Sequence, residues 1–282
     1  MKTHIYNFLE KRFGFSIRRR KNARLLDRDF LFVALDRDEP DYDDAWILAL
    51  GANARIVFDV GANIGKSAFL ILYANKVEEL FLIDPNPLAL SIAAENMIRN
   101  NLSRHVRFIS AFISDAPNET LKFYTVGSGA AGSMYKSHAK TAGQMNAFLN
   151  VQTSTLDSLA DEYKVIPDLV KIDVEGAEAK VLRGAVGLAK HQQTKFMVEV
   201  HSSPELSIIE NTNQLLSWCE SSEYTAWYLR DKVVLTNAEH VKNRGRYHLL
   251  LLPKRSPFPD YLLDIEQRAP LSKGITMTQG GK

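Results

Sequence analysis

Two short segments place carboxylates and an imidazole where they can act together on a proton or a metal ion. Lys171, Asp173 and Glu175 alternate with apolar residues and therefore share one face of a predicted strand. Glu199 and His201 share a face in the same way at the end of the next predicted strand. If these strands are neighbours, repulsion and burial raise the carboxylate pKa values, so that one carboxylate can act as a base near neutral pH. Asp173, Glu175 and His201 are the candidate catalytic residues.

Three interpretations of this cluster stay open. In the first, Asp173 or His201 is a general base that removes the proton of an acceptor hydroxyl. In the second, Asp173, Glu199 and His201 hold a divalent metal, magnesium or manganese, which orients and acidifies a diol. In the third, the residues are structural: Lys171 neutralises a carboxylate, and His201 helps to cap the helix that follows Pro204.

A glycine-bearing turn and an acidic strand end predict a bound nucleoside. Between Asp59 and Gly65 the chain reads D-x-G-x-x-x-G, in which Gly61 and Gly65 permit a tight turn and close approach to a ligand. Asp84 ends the next predicted strand, about 20 residues beyond the turn, where a carboxylate can accept both ribose hydroxyls. Its alternative role is to cap the helix that begins near Pro87. The glycine spacing differs from the G-x-G-x-x-G of dinucleotide-binding folds.

Four ordered motifs resemble those of the FkbM family of S-adenosylmethionine-dependent methyltransferases. They are VFDVGANIG at 57–65, IDPNP at 83–87, TLDSL at 155–159 and VKIDVEGAE at 170–178. The similarity extends over about residues 55–200, so the two ends of the chain inherit nothing from it. Asp84 stands where the family more often has glutamate, and both carboxylates can bind a ribose.

The resemblance implies S-adenosylmethionine as the cofactor and assigns residues to its parts. The methionine end would be held by Asp59, Gly61, Asn63 and Gly65, the ribose by Asp84, and adenine by Ala111 and Phe112. The alternative for Phe112 is a place in the core. The resemblance also implies methyl transfer to a hydroxyl of a sugar in a glycan, glycolipid or natural product. The alternatives are RNA methylation, a nicotinamide-dependent oxidoreductase and a non-catalytic cofactor-binding partner.

Alternating short apolar segments and helical patterns predict a doubly wound α/β fold with a mainly parallel, seven-stranded, Rossmann-like sheet and an antiparallel last strand. The predicted strands cover 56–60, 80–83, 106–109, 169–174, 196–200, 224–229 and 247–252. The predicted helices cover 66–75, 87–101, 178–190 and 204–221. Ligands of such sheets bind beyond the carboxyl ends of the strands.

A long connection separates the third and fourth predicted strands. Its small residues at 127–134 are typical of a mobile lid, from which we expect Ser133, Tyr135 or His138 to approach the acceptor. The alternative is a β-hairpin formed by residues 121–126 and 151–153.

The sequence further predicts a methyltransferase domain at 51–254, flanked by a basic, helical extension at 1–50 and a partly flexible extension at 255–282. The basic start favours a solvated arm or docked helix, or peripheral contact with an anionic membrane or glycan. A short helix is expected at 261–267. The oligomeric state is not predicted.

Composition narrows the possible partners and compartments. The chain carries 35 Lys and Arg against 33 Asp and Glu, so no overall field favours DNA. It has one cysteine, Cys219, and its start lacks the apolar run of a secretory signal, which together favour a reducing cytoplasm. No apolar run is long enough for a transmembrane segment.

Overall fold

The computed structural model of the protein describes residues 20–34, 43–125, 132–135 and 139–275. Within these ranges, the apolar segments of the sequence form the strands. The strands in these ranges are β1 (Arg20–Leu25), β2 (Arg28–Val33), β3 (Ile56–Val60), β4 (Glu79–Ile83), β5 (Val106–Ile109), β6 (Phe112–Ile113), β7 (Thr120–Tyr124), β8 (Phe148–Ser154), β9 (Leu169–Ile172), β10 (Lys195–His201), β11 (Tyr224–Tyr228), β12 (Val233–Val234) and β13 (Arg246–Pro253).

The helices follow the segments with a helical apolar period. They are α1 (Asp44–Gly51), α2 (Lys66–Leu72), α3 (Pro87–Arg99), α4 (Lys140–Gln144), α5 (Leu156–Tyr163), α6 (Glu178–Arg183), α7 (Val186–Lys190) and α8 (Ile208–Ser221). Short 3₁₀ turns lie at Ser103–His105, Ala238–Val241, Asp260–Leu262 and Leu271–Gly274. None of the helices in the described ranges is long and apolar enough to cross a membrane.

The main sheet has the order β12-β11-β13-β10-β9-β3-β4-β5. The strands β10, β9, β3, β4 and β5 run parallel, whereas β13 is antiparallel to both of its neighbours. The chain passes outward from β3 in both directions, so β3 marks the switch point at which such sheets bind their ligands. The doubly wound architecture and the antiparallel last strand are therefore confirmed.

The structure corrects the number of strands and the extent of one helix. The sheet has eight strands, because the two-residue β12 adds to the edge of β11 and is too short to leave a pattern in the sequence. The helix predicted at 178–190 is divided into α6 and α7. At the division, a Cβ on Gly184 would lie 2.1 Å from the carbonyl oxygen of Ser114, a tertiary contact that no local pattern reveals.

Two smaller differences concern helix ends. The helix predicted from 204 begins at Ile208, because Ser207 caps it by accepting a hydrogen bond from the amide of Glu210 at 3.1 Å. The short helix predicted at 261–267 is the 3₁₀ turn Asp260–Leu262.

Helices cover both faces of the sheet. One apolar layer joins α1, α2 and α3 to the sheet, and the other joins α5, α6, α7 and α8. Residues in β1 and β2 form a hairpin, and alternate apolar side chains of β2 point into the core. Phe32 packs there against Phe69, with ring centroids 4.2 Å apart. The helix predicted near the start of the chain lies outside the described residues.

Packing is continuous across both predicted domain boundaries. Helix α1 spans residues 50 and 51, and Trp46 Nε1 within it donates to the carbonyl of Ile265 at 3.1 Å. The division at 50/51 and 254/255 stays a prediction. Residues 1–19 and 276–282, which include most of the basic start and the last part of the tail, lie outside the described ranges.

The hairpin predicted in the long connection is present. Strand β7 pairs antiparallel with β8, placing Leu121 opposite Val151, and β6 joins them in a separate three-stranded sheet. Ser133 continues this sheet through a bridge to Tyr124. His138 lies outside the described residues.

Candidate active site

An open cleft lies beyond the carboxyl end of β3. The predicted cofactor and catalytic residues that line it are Gly61, Asn63, Asp84, Ala111, Phe112, Asp173 and Glu175. Asp59, Gly65 and His201 do not line this cleft. Sequence motifs that are far apart in the chain thus meet at the switch point of the sheet.

The glycine turn brings two strand ends into direct contact. Gly61 has a φ of +83°, and a Cβ added there would lie 1.8 Å from the carbonyl oxygen of Asp173. Gly65 has a φ of +79°, and its Cβ would lie 3.1 Å from that of Ala93. Asn63 also has a positive φ, and its buried Oδ1 has no hydrogen-bond partner among the described residues. An unsatisfied buried acceptor beside a cleft is a natural contact for a ligand donor.

Asp84 is held by the backbone at the wall of the cleft. Its Oδ2 accepts from the amide of Asn63 at 2.9 Å, and its Oδ1 accepts from the amide of Asn86 at 2.8 Å. Burial raises the pKa of Asp84 to about 6. The cap of α3 is Asn86, so the alternative role of Asp84 as that cap is wrong. Each carboxylate oxygen keeps a further lone pair for a ligand hydroxyl.

The adenine candidates form an apolar wall. Phe112 is buried and its ring centroid lies 6.2 Å from that of Phe123, while both residues also line the cleft. The core and the ligand-contacting interpretations of Phe112 are therefore compatible. Opposite this wall, Ser133 Oγ donates to the carbonyl of Glu175 at 2.9 Å, so the long connection lies over the loop that follows β9.

The predicted acidic cluster is assembled around His201. Its Nε2 lies 3.5 Å from Glu199 Oε1, 3.7 Å from Glu175 Oε2 and 3.8 Å from Asp173 Oδ1. Burial raises the pKa of Asp173 to about 7, with Lys171 opposing this and Glu199 adding to it. About 31% of the Asp173 side chain is exposed, on the side that faces the cleft. Asp173 can therefore accept a proton near neutral pH.

Glu178, which the sequence analysis did not single out, fixes the orientation of His201. Its Oε1 lies 2.8 Å from His201 Nδ1, and its Oε2 accepts from Asn211 Nδ2 at 3.0 Å. Burial disfavours the charged imidazole, but the hydrogen bonds to Glu178 and Glu199 outweigh it and raise the pKa of His201 to about 11. The surrounding carboxylates therefore favour the imidazolium form of His201 at neutral pH, which opposes the interpretation of His201 as the base.

The structural interpretation of His201 as a helix cap is wrong. Ser207 caps α8, and the His201 ring points into the carboxylates instead. The other part of that interpretation agrees with the geometry, because Lys171 Nζ lies 3.5 Å from Asp173 Oδ2 and 3.4 Å from Asp59 Oδ1. Both structural and chemical roles are consequently present in one cluster.

A second, deeper group adjoins the first through Glu199. His248 Nε2 lies 3.5 Å from Glu199 Oε2 and 3.5 Å from Asp43 Oδ2. Burial opposes protonation of His248, but the neighbouring carboxylates of Asp43 and Glu199 favour the charged imidazole and raise its pKa to about 9. The antiparallel register of β10 and β13 places His248 opposite Glu199 and Arg246 opposite His201. The alternation of Arg246 and His248 was the available sequence signal for this pair.

Comparison with known proteins identifies relatives of this chain. The sequence model of the family described as the methyltransferase FkbM domain matches residues 59–224 of this chain. The 2-O-methyltransferase NoeI of Sinorhizobium fredii (strain NBRC 101917 / NGR234) is 30% identical over 163 residues, which cover 54% of this chain and 65% of that protein. The chain therefore spans just under two thirds of the length of this relative.

Solved structures with a similar fold are more distant in sequence. A methyltransferase FkbM from Methylobacillus flagellatus KT is 18% identical, covering 70% of this chain and 43% of that chain, with a TM-score of 0.44. Cofactor-bound Rv0187 from MTB is 15% identical, covering 76% of this chain and 80% of that chain, with a TM-score of 0.45. These values carry no argument about function. The family match, which spans more than half of the chain, shows that this protein belongs to the FkbM methyltransferase family.

Proposed function

We propose that this protein transfers a methyl group from S-adenosylmethionine to a hydroxyl oxygen of a sugar-containing acceptor. The main support for this proposal is that Asp173 belongs both to the ligand cleft and to the acidic cluster. This carboxylate lines the cleft with Gly61 and Asp84, and it also lies 3.8 Å from His201. Family membership supports methyl transfer, and similarity to the 2-O-methyltransferase NoeI of Sinorhizobium fredii supports oxygen as the acceptor atom.

The residues of the cleft suit an adenosine with an amino-acid tail. Asp84 offers carboxylate oxygens to ribose hydroxyls, and Ala111 with Phe112 offers an apolar wall to a base. The unpartnered Oδ1 of Asn63 is an acceptor for an ammonium group, and Gly61 admits the ligand close to the backbone. When bound, S-adenosylmethionine supplies a methyl group on a positively charged sulfur. Carboxylates along one wall favour that charge.

The acidic cluster provides the acid–base chemistry that an alcohol needs. Asp173, whose pKa is about 7, removes the hydroxyl proton as the oxygen attacks. The His201 imidazolium and the Lys171 ammonium, both beside Asp173, hold its oxygens in place. Much of the rate comes from the alignment of acceptor oxygen, methyl group and sulfur in one line.

A divalent metal held by Asp173, Glu199 and His201 is the second candidate for activating the hydroxyl. One observation favours it: Glu178 engages His201 Nδ1 and leaves Nε2 directed at carboxylates, as in many metal sites. Against it, Arg246 Nη1 lies 2.8 Å from Glu199 Oε1 and competes for that oxygen. Magnesium or manganese would acidify a diol in this position.

The test is calorimetric titration of the full chain with S-adenosylhomocysteine. We expect micromolar binding that Asp84→Ala abolishes and that Asp161→Ala, a change of an exposed carboxylate on α5, leaves unchanged. Parallel titrations with NADH, and with EDTA or added magnesium, separate the alternatives. Binding of NADH in place of S-adenosylhomocysteine would favour an oxidoreductase, and magnesium-dependent binding would favour the metal.

A second step identifies the acceptor class. The enzyme is incubated with radiolabelled S-adenosylmethionine and separate pools of glycans, glycolipids and RNA. We expect label in an alkali-stable ether on the glycan or glycolipid. Label that appears only in RNA would overturn the glycan and glycolipid assignment and leave the methyltransferase assignment intact.

A further inference from the structure

A second cavity, open to solvent, lies on the other side of His201 from the cofactor cleft. Its walls come from the end of β10, the turn after β11, the loop before β13 and the segment at 266–268. His201 lines this cavity, and its Nε2 lies 3.8 Å from Asp173, which lines the cofactor cleft. The two cavities therefore meet at the Asp173–His201 pair.

The lining of the second cavity is strongly cationic. The guanidinium and ammonium groups that line it belong to Arg230, Lys232, Arg244, Arg246 and Arg268. Among the described residues that line the same walls, two carry carboxylates, Asp231 and Glu266. The cavity thus carries an excess of positive charge, although the whole chain is almost neutral. Such an excess in a concave site attracts and concentrates anions.

Two of these cations are partly shielded from solvent. Lys232 and Arg244 are half-buried, and within the described ranges no carboxylate pairs with either of them. Arg246 is different, because its Nη1 lies 2.8 Å from Glu199 Oε1 and so belongs to the wall between the two cavities. A bound anion would supply the opposite charge that these half-buried cations do not receive from the described carboxylates.

We propose that this cavity binds the methyl acceptor through an anionic group, a phosphate or a carboxylate carried by the sugar. This inference rests on the proposed function and narrows its substrate class. Lys232 and Arg244 bind the anionic group, and the hydroxyl to be methylated lies at Asp173. The guanidinium of Arg244 presents parallel N–H donors that match the oxygens of either group.

The binding test uses glucose 6-phosphate and glucuronic acid as probes, with glucose as the neutral reference. Each is titrated into the full chain saturated with S-adenosylhomocysteine, at constant ionic strength. We expect at least one charged probe to bind at least tenfold more tightly than glucose, and the preferred probe tells whether phosphate or carboxylate is recognised. Affinity for it should fall as salt is raised, since the contact is between charges.

Three single substitutions locate the contact. Lys232→Gln and Arg244→Gln should each weaken binding of the preferred probe about tenfold, while binding of S-adenosylhomocysteine stays unchanged. Lys254→Gln is the matched control, because Lys254 is exposed and lines a different cavity, with Glu223. It should alter neither affinity.

The outcomes separate this inference from the proposed function. If the wild type binds S-adenosylhomocysteine but does not distinguish either charged probe from glucose, the anionic acceptor is overturned and methyl transfer stands. Equal binding of the preferred probe by wild type and both glutamine variants also overturns it. If the wild type fails to bind S-adenosylhomocysteine at all, the proposed function falls, and the acceptor assignment falls with it.

Discussion

Replacement of Gly61 by alanine tests whether the glycine turn and the end of β9 are as close as the structure has them. The new Cβ would lie 1.8 Å from the carbonyl oxygen of Asp173, and ordinary contact begins at 3.4 Å. The two strand ends must therefore separate by about 1.6 Å. A left-handed φ costs a residue with a Cβ roughly 1–2 kcal/mol, and overpacking adds about 1–3 kcal/mol.

These two terms lower the free energy of unfolding of Gly61→Ala by about 2–5 kcal/mol. At about 2 °C per kcal/mol for a chain of this size, the melting temperature should fall by roughly 4–10 °C. The affinity for S-adenosylhomocysteine should also fall at least tenfold, because Gly61 and Asp173 both line the cleft.

Differential scanning calorimetry and calorimetric titration measure the two effects of Gly61→Ala. Gly245→Ala is the matched control, since a Cβ there meets no atom within 4 Å and the residue has no positive φ. A Gly61→Ala protein that melts within about 1 °C of this control and binds the ligand as tightly would refute the close contact.

Three further predictions concern charge. Because the carboxylate form of Asp84 accepts ribose hydroxyls and its pKa is about 6, affinity for S-adenosylhomocysteine should fall as pH is lowered from 7 to 5, and Asp84→Asn should remove that dependence in calorimetric titrations. The pKa of His248 is raised to about 9, so its contribution to the free energy of unfolding is complete below its ordinary pKa of 6.5 and is lost as pH rises through 9. Chemical denaturation of the wild type should therefore show a free energy of unfolding that falls over this range. The fall should be shallower in His248→Gln. Once an acceptor is known, Asp173→Asn should lower kcat by about 10²–10⁴ and remove an inflection near pH 7 from the rate profile, whereas an unchanged inflection would exclude Asp173 as the base.

The sequence predicted those parts of the fold that depend on local pattern. The parallel strands at the centre of the sheet are continuous apolar segments, and their observed bounds agree with the predicted ones to within about two residues. The pair of β7 and β8 was weighed as an alternative and is present. Division of the helix at Gly184 was not predictable, because its cause is contact with Ser114, far away in the chain.

The same distinction applies to the candidate site. The alternation of polar and apolar residues, with the assumption that the two strands are neighbours, predicts a cluster of Asp173, Glu175, Glu199 and His201. In the structure, the His201 ring lies within 3.8 Å of all three carboxylates. Glu178 was overlooked because it follows β9 by several residues and reaches back to His201 from the first turn of α6. The protonation state of each group depends on how deeply it is buried and on which charged or hydrogen-bonding groups surround it, and the sequence alone gives neither.

Asp59, which the resemblance assigns to the cofactor, does not line the cleft and can act on the site through Lys171. It is fully buried on β3, it accepts a hydrogen bond from Ser67, and its Oδ1 lies 3.4 Å from Lys171 Nζ. Lys171 lies opposite it on β9, and that ammonium group also lies 3.5 Å from Asp173. Burial alone would lower the pKa of Lys171, but Asp59 and then Asp173 raise it above its ordinary value.

Asp59 therefore keeps a positive charge under the proposed base, and that charge limits how far burial raises the pKa of Asp173. Replacing Asp59 by asparagine would leave Lys171 with fewer counter-charges in the interior. We expect the rate inflection assigned to Asp173 to move in Asp59→Asn while affinity for S-adenosylhomocysteine changes little. A large loss of that affinity at an unchanged inflection would instead indicate that Asp59 binds the cofactor directly, as the sequence motif first suggested.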